Sequence, residues 1–190
     1  MALGRWFARR EGPEVAAAHL YVAVVEQARR PEFYLRHAVP DSVDGRFELI
    51  ALHAFLVLHR LAGEGESARE LAQALFDRLF ADMDRSLREM GAGDMGVGKR
   101  IQHMAQGFYG RMAAYREALA GDDPGLEAAL RRNLYGTVRE GAVPTARLAA
   151  YARRVVADLA RQPTAAIAAG QVAFPAPPPS PSPIAEGQAS

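Results

Sequence analysis

The most constraining feature of this sequence is the stretch 45–61, which is apolar on nearly every side of a helix. A helix without a polar face has to be surrounded by other elements, so it belongs at the centre of a bundle. Within it, Leu49–Leu58 is about half as long as a membrane span, and His53 interrupts the run. We therefore predict a buried core helix in a soluble protein. Its apolar positions are Phe47, Leu49, Ile50, Leu52, Phe55, Leu56, Val57, Leu58 and Leu61.

Apolar residues three and four apart predict amphipathic helices on both sides of this stretch. Before it, Asp41, Ser42 or Asp44 supplies an N-terminal cap, and after it Ser67 and Glu70 form a capping box. We find no alternating run long enough for a strand and no internal repeat. The sequence therefore predicts an all-α, single-domain bundle of about six or seven helices. The predicted helices span 13–29, 32–38, 45–61, 67–90, 97–120, 123–135 and 144–162.

Both ends of the chain differ in composition from this predicted domain, 13–162. Residues 1–12 form a basic lead, for which a plain flexible terminus and a contact with a membrane or with ribosomal RNA are the alternatives. The residues that would make this contact are Arg5, Trp6, Phe7, Arg9 and Arg10. Residues 163–190 include the proline-rich run 174–183, and we predict a disordered tail there.

The residue types argue against several kinds of chemistry. The chain has no cysteine, which excludes disulfides, thiolate catalysis and cysteine-based zinc sites. No two of its five histidines lie three or four apart on one helix, so none forms a local metal-binding pair. A net charge of +1 does not by itself suggest nucleic-acid binding. We predict a protein without catalytic activity, metal or cofactor, and we interpret His53 as a core histidine bonded to a backbone or carboxylate partner.

Residues 93–99 match the pattern G-x-x-x-x-G-K of a phosphate-binding loop. The next residue is Arg100, where such a loop needs serine or threonine to hold magnesium, and a predicted helix precedes the motif instead of a strand. We interpret the segment as a tight corner between two long helices, with Asp94 capping the second. Gly107 and Gly110, inside that helix, indicate either the close approach of a neighbouring helix or a binding groove.

Two stretches resemble the ubiquinol–cytochrome c chaperone family, known from mitochondria and alphaproteobacteria. The first contains Phe33-Tyr34, then 39–49 and Leu52-His53. The second runs through 82–100 and continues in Met104-Ala105 and 108–111. The likeness covers roughly residues 15–160.

The resemblance implies an assembly chaperone for ubiquinol–cytochrome c reductase (complex III). Such a chaperone would hold newly made cytochrome b, together with a small helical co-chaperone. The start of the chain reads as lacking a mitochondrial targeting extension, so we expect a bacterial member located in the cytoplasm or on the cytoplasmic face of the inner membrane. A general helical interaction or membrane-peripheral adaptor and a ribosome- or RNA-associated factor are the alternatives.

We predict that the corner 82–111 forms the partner-binding surface, because many of its polar residues fall at a loop and on exposed helix faces. The residues predicted to bind a protein partner are Asp82, Asp84, Arg88, Asp94, Lys99, Arg100, Tyr109 and Arg111.

Overall fold

A computed structural model describes residues 12–89, 94–138 and 143–179, with side chains throughout except at 94–101 and 103. These ranges contain eight helices and no strand, which confirms the predicted all-α bundle. None of the helices is both long enough and apolar enough to cross a membrane. The helices are α1 (Pro13–Ala28), α2 (Pro31–Leu35), α3 (Val43–Leu61), α4 (Glu66–Glu89), α5 (Asp94–Ala120), α6 (Asp123–Leu134), α7 (Thr145–Ala160) and α8 (Thr164–Ala168).

Helix α3 lies at the centre of the bundle, as its apolar composition predicts. It packs against α1, α4, α5, α6 and α7, and every residue from Phe47 to Leu58 is buried. The outer helices pack on one another in chain order from α4 to α7, and α1 lies along α4. Each outer helix needs to bury only one stripe, which is why the three- and four-residue spacing predicts them correctly.

The start of α3 is determined by Ser42 and Gly45. The Ser42 hydroxyl accepts a hydrogen bond from the backbone N–H of Gly45 at 3.2 Å, so Ser42 is the cap among the three candidates. Asp41 instead pairs with Arg46 at 2.7 Å. A Cβ at Gly45 would lie 2.0 Å from the carbonyl oxygen of Pro40, so only glycine allows the loop to approach this closely.

Helix α4 does not begin with the predicted capping box, whereas α6 begins at residue 123 as predicted. Helix α4 begins at Glu66, and the carbonyl of Gly65 accepts its first helical bond from Arg69. Ser67 therefore lies inside the helix, and the predicted capping box is wrong. At α6, the cap is Asp122, whose carboxylate accepts from the N–H of Gly125 at 3.0 Å.

The largest difference between the predicted and the observed structure lies beyond Pro163, where a disordered tail was predicted. Residues 164–168 form α8, whose Ile167 is fully buried, and residues 171–179 cross the bundle without helix or strand. The prolines at 175 and 177–179 favour an extended backbone in this segment. The guanidinium of Arg60 in α3 anchors the α7–α8 corner, donating to the carbonyls of Leu159 and Gln162 and to the hydroxyl of Thr164. Contacts with distant helices thus order a segment that has no helical period of its own. Residues 1–11, nearly all of the predicted basic lead, and 180–190 lie outside the described residues.

Candidate partner surface on α4 and α5

Four aromatic side chains join α4 to α5, and we call them the aromatic seam: Phe76, Phe80, Phe108 and Tyr109. The rings of Phe76 and Phe80 are 4.6 Å apart, and both contact Phe108, at 5.8 and 5.7 Å between centroids. Tyr109 stacks on Phe76 at 5.2 Å with an interplanar angle of 29°. The seam begins in the core at fully buried Phe108 and ends at the surface at Tyr109, which is 57% exposed.

The same two helices carry three methionines that are only partly buried, Met83, Met104 and Met112. A methionine side chain is unbranched and has a polarisable sulfur, so it adapts its shape to different apolar surfaces. Together with Phe76 and Tyr109, these side chains give α4 and α5 apolar surface that the bundle itself does not fully cover. Apolar surface of this kind is typical of a place where another apolar segment packs.

Two of the predicted acidic residues have partners within the chain. Asp82 accepts a hydrogen bond from the hydroxyl of Tyr21 in α1 at 2.7 Å. Burial and this carboxylate raise the pKa of Tyr21 well above its usual value. Asp84 pairs with Arg88 one turn later at 2.7 Å, on the exposed side of α4. The Asp84–Arg88 pair therefore lies on the solvent-exposed side of α4, whereas Asp82 connects α4 to α1.

Arg111 lies against the core, although it was predicted to contact a partner. Its Nε donates to Glu48 of α3 at 2.7 Å, its Nη2 donates to the other oxygen of the same carboxylate, and its guanidinium lies 5.6 Å from the centre of the Phe47 ring. Burial raises the pKa of Glu48, and the neighbouring Arg111 opposes that increase. The positive charge of Arg111 therefore offsets the cost of burying the Glu48 carboxylate inside the bundle.

The Arg111 side chain also explains Gly107, one turn earlier in α5. A Cβ at Gly107 would lie 2.6 Å from Nη1 of Arg111, so the glycine leaves room for the guanidinium on its way to Glu48. No described atom of a neighbouring helix lies within 4 Å of this position, so the predicted close approach of a helix does not account for the glycine. At Gly110, a Cβ would have no described atom within 4 Å, and nothing in the structure explains this glycine.

The phosphate-loop pattern falls at the start of α5: residues 94–99 are helical, and Asp94 is the first residue of the helix and not its predicted cap. Helix α4 ends at Glu89 and α5 begins at Asp94, so a helix precedes the pattern where a nucleotide-binding fold places a strand. The side chains of Asp94, Lys99 and Arg100 lie outside the described ones. Among the described residues, no three histidine, aspartate or glutamate side chains come together as a set of metal ligands.

Sequence reasoning assigned Tyr109 to the surface but missed the part that Phe76 plays beside it. The signal was available, because Phe76 and Phe80 are one turn apart on a predicted helix and Phe108-Tyr109 lie on the next one. Which ring remains partly exposed depends on how α4 and α5 are rotated about their axes. That rotation is a property of the packed bundle, and periodicity alone gives only the average apolar face.

Comparisons with known proteins agree with this architecture. A crystal structure described as the Cbp3 homolog from Brucella abortus superposes with a TM-score of 0.77 at 40% sequence identity, covering 86% of this chain and 90% of that one. A mouse protein named ubiquinol-cytochrome c reductase complex assembly factor 1 is 30% identical over 122 residues, and its Xenopus laevis namesake is 27% identical over 121.

The matched segment covers 64% of this chain in both comparisons but only 41% of the mouse protein and 60% of the frog protein. The family model for the ubiquinol-cytochrome C chaperone matches residues 35–174, from the end of α2 through α8 and into the extended segment. That range includes the central helix α3 and the whole α4–α5 surface, so the chain belongs to the ubiquinol-cytochrome C chaperone family.

Proposed function

We propose that this protein is an assembly chaperone for ubiquinol–cytochrome c reductase, and that it holds an apolar helix of unassembled cytochrome b on the α4–α5 surface. The observation that carries the proposal is the aromatic seam within the matched family region. Its outer ring, Tyr109, is among the most exposed of the large apolar and aromatic side chains. An amphipathic or apolar helix binds by laying its apolar side chains into such a surface.

The polar residues around the seam would set the orientation of the client. The exposed Asp84–Arg88 pair lies on α4, and Asp94, Lys99 and Arg100 belong to the first two turns of α5. Charges at the edge of an interface contribute more to orientation and association rate than to affinity. We assign these residues, with Asp82, the role of polar contacts, and we propose that a small helical co-chaperone uses the same face or a neighbouring one.

The basic lead is the proposed second contact. Arg5, Trp6, Phe7, Arg9 and Arg10 combine positive charge with two large aromatic rings, a combination that suits an anionic surface. Such a contact with the inner membrane or the ribosome would keep the chaperone close to the place where cytochrome b is made. The basic lead would thus bring the chaperone to the place of synthesis, whereas the aromatic seam would bind cytochrome b.

The experiment that tests the client proposal uses Tyr109→Asp in a strain that lacks the native chaperone. Because Tyr109 is exposed, the variant loses mainly the stacking of this ring on Phe76, and we expect the free energy of unfolding to fall by about 0.5–1.5 kcal/mol, which leaves the protein folded. Capture of cytochrome b, measured by site-specific crosslinking in cells and mass spectrometry, should fall at least fivefold. The level of assembled complex III should fall with it, while the other respiratory complexes stay at wild-type levels.

The matched control is Leu35→Asp, which places the same charge at a residue of α2 that is 82% exposed and remote in sequence from the seam. It should leave capture unchanged.

Charge reversal at Lys99 and Arg100 should weaken capture without unfolding the protein. Arg111 is unsuitable for this purpose, because truncating it would leave Glu48 buried without its partner at a cost of about 3–5 kcal/mol. Normal cytochrome b capture by a folded Tyr109→Asp variant would rule the surface out, and an equal loss of all respiratory complexes would favour a general adaptor.

A further inference from the structure

The extended segment 171–179 lies in a groove formed by α1, α3, α7 and the turn after α2, and we call this segment the proline strap. We propose that the groove is a recognition site for extended proline-rich peptide segments, and that the strap occupies it in cis. A proline-rich segment of a partner protein with an aromatic residue before its prolines would bind in the same place. This inference is independent of the client proposed for α4 and α5.

The groove recognises the strap through its backbone carbonyls. Gln27 donates to the carbonyl of Pro175 at 2.9 Å, and His37 lies 3.0 Å from the carbonyl of Pro178. Farther along, Arg147 donates to the carbonyl of Pro179 at 3.2 Å. All three side chains bond to the carbonyl of a proline. The backbone of proline can only accept a hydrogen bond, because it has no N–H.

One further side chain contacts the beginning of the strap in a different way. Gln162 donates to the carbonyl of Ala173 at 2.7 Å and accepts from its N–H at 3.0 Å, so it satisfies both backbone groups of one residue. From residue 172 to 179, no described backbone-to-backbone hydrogen bond joins the strap to the bundle. The groove therefore binds the strap as a receptor binds a peptide, with side-chain donors directed at an extended backbone.

The floor of the groove is aromatic. Phe33, His53 and Tyr151 form an edge-to-face triad with ring centroids 5.4–5.8 Å apart. The ring of Phe174 stands against His53 at 5.4 Å and 85°, and Pro177 is buried farther along. Aromatic floors with hydrogen-bond donors at their edges are the usual surface on which polyproline segments dock.

The groove is held in shape by contacts that do not involve the strap. Gln27 donates to the hydroxyl of Tyr151 at 2.7 Å, and that hydroxyl lies 2.9 Å from Nε2 of His53. On the other side, the hydroxyl of Tyr135 donates to the backbone carbonyl of His37 at 2.6 Å. Because the core already positions these donors, a peptide would not have to organise them, which lowers the cost of binding.

The proline strap occupies the groove because it is covalently connected to the bundle. The strap follows α8 through Gly170, so its effective concentration at the groove is of the order of millimolar or more. A free peptide with micromolar affinity would compete poorly with it. Weakening the strap should therefore reveal binding in trans.

The test uses the full chain with Phe174→Ser and Pro177→Ser, which removes two of the apolar contacts of the strap, leaves that of Val172, and changes no residue of the groove. The probe is a fluorescein-labelled peptide that copies residues 171–183, titrated by fluorescence anisotropy. We expect the strap-weakened chain to bind it at least tenfold more tightly than the wild-type chain. A peptide carrying serine at every proline position should not bind, and Gln27→Ala in the strap-weakened chain should reduce affinity at least fivefold.

Equal affinity of both chains for the peptide, or equal binding of the serine peptide, would overturn the proposal. Circular dichroism melting checks that the variants fold. If the strap-weakened chain does not fold, wild-type protein is mixed with excess peptide that carries a photoreactive phenylalanine at the Phe174 position. Crosslinks should then map to Phe33 or His53, and crosslinks confined to other surfaces would contradict the assignment.

Discussion

His53 is completely buried in the middle of α3, yet both nitrogens of its ring have partners. Nδ1 donates to the carbonyl of Leu49 at 2.8 Å, since a carbonyl can only accept, and Nε2 accepts from the hydroxyl of Tyr151 at 2.9 Å. This arrangement needs the neutral ring, and burial lowers the pKa of His53 to about 4. The interpretation of His53 as a backbone-bonded core histidine is confirmed, and its bond to Tyr151 lay beyond what spacing could predict.

We expect the protein to lose stability as the pH falls from about 6.5 toward 4. In this pH window the unfolded chain binds a proton at His53 and the folded chain does not, because the pKa of His53 is lower in the folded state than in the unfolded state. Between pH 7 and pH 5 the free energy of unfolding should fall by about 2 kcal/mol through this residue alone. Urea unfolding at the two pH values measures the difference.

The variant His53→Gln should be less stable than wild type at pH 7 but should lose less stability on going to pH 5. His59→Gln is the control: burial lowers the pKa of His59 as well, but this ring is only half-buried, so its removal should change the pH dependence less. An unchanged pH dependence in His53→Gln would show that another group is responsible.

At the scale of an element, the attachment of α8 and the strap depends on one turn. Gly170 has a φ of +80°, and a Cβ there would lie 2.8 Å from the carbonyl oxygen of Ala16 and 2.9 Å from Cβ of His19. The chain therefore turns in a left-handed conformation while pressed against α1. Only glycine meets both requirements.

We predict that Gly170→Ala destabilises the protein by about 2–4 kcal/mol, because it adds a backbone clash to the strain of the left-handed conformation. The matched control is Gly63→Ala. Gly63 has a φ of +86° but no described atom within 4 Å of its Cβ position, so only the strain of about 1–2 kcal/mol remains. Urea midpoints of the two variants compare the costs, and equal losses would mean that the approach to α1 contributes nothing.

At the scale of the whole molecule, the central position of α3 makes its opening inseparable from global unfolding. Five helices pack around it, and the run 49–57 has essentially no exposed surface. Its amides can reach solvent only when that surrounding layer separates. Short α2 and α8 each bury a single apolar side chain, so they can open without the rest.

We therefore expect the amides of residues 50–58 to exchange with the free energy of global unfolding, and those of α2 to exchange through smaller openings. Native-state hydrogen exchange in low concentrations of guanidinium chloride, read by mass spectrometry, makes the comparison. The central helix should show the full denaturant dependence of global unfolding, while α2 should show almost none. Exchange of α3 through small openings would contradict its place at the centre.

The sequence by itself determined the helices of the bundle and which of them lies at its centre. Those features follow from contacts within one or two helical turns and from the number of apolar faces on each helix. Both can be read directly from the order of the residues. A cap among Asp41, Ser42 and Asp44 and the core role of His53 belong to the same local information, while the structure identified Ser42 as the cap. The phosphate-loop pattern could be set aside for the same reason, because the helix that precedes it is predicted from local spacing.

Only the tertiary structure decided the partner of Arg111, the exposed end of the aromatic seam and the order of the proline strap. Arg111 and Glu48 are 63 positions apart, and Gln27 and Pro175 are 148 apart. A proline-rich segment has no hydrogen bonds of its own to order it, so composition predicts disorder. Here two of the donors, Gln27 and His37, come from the other end of the chain, and no local pattern contains them.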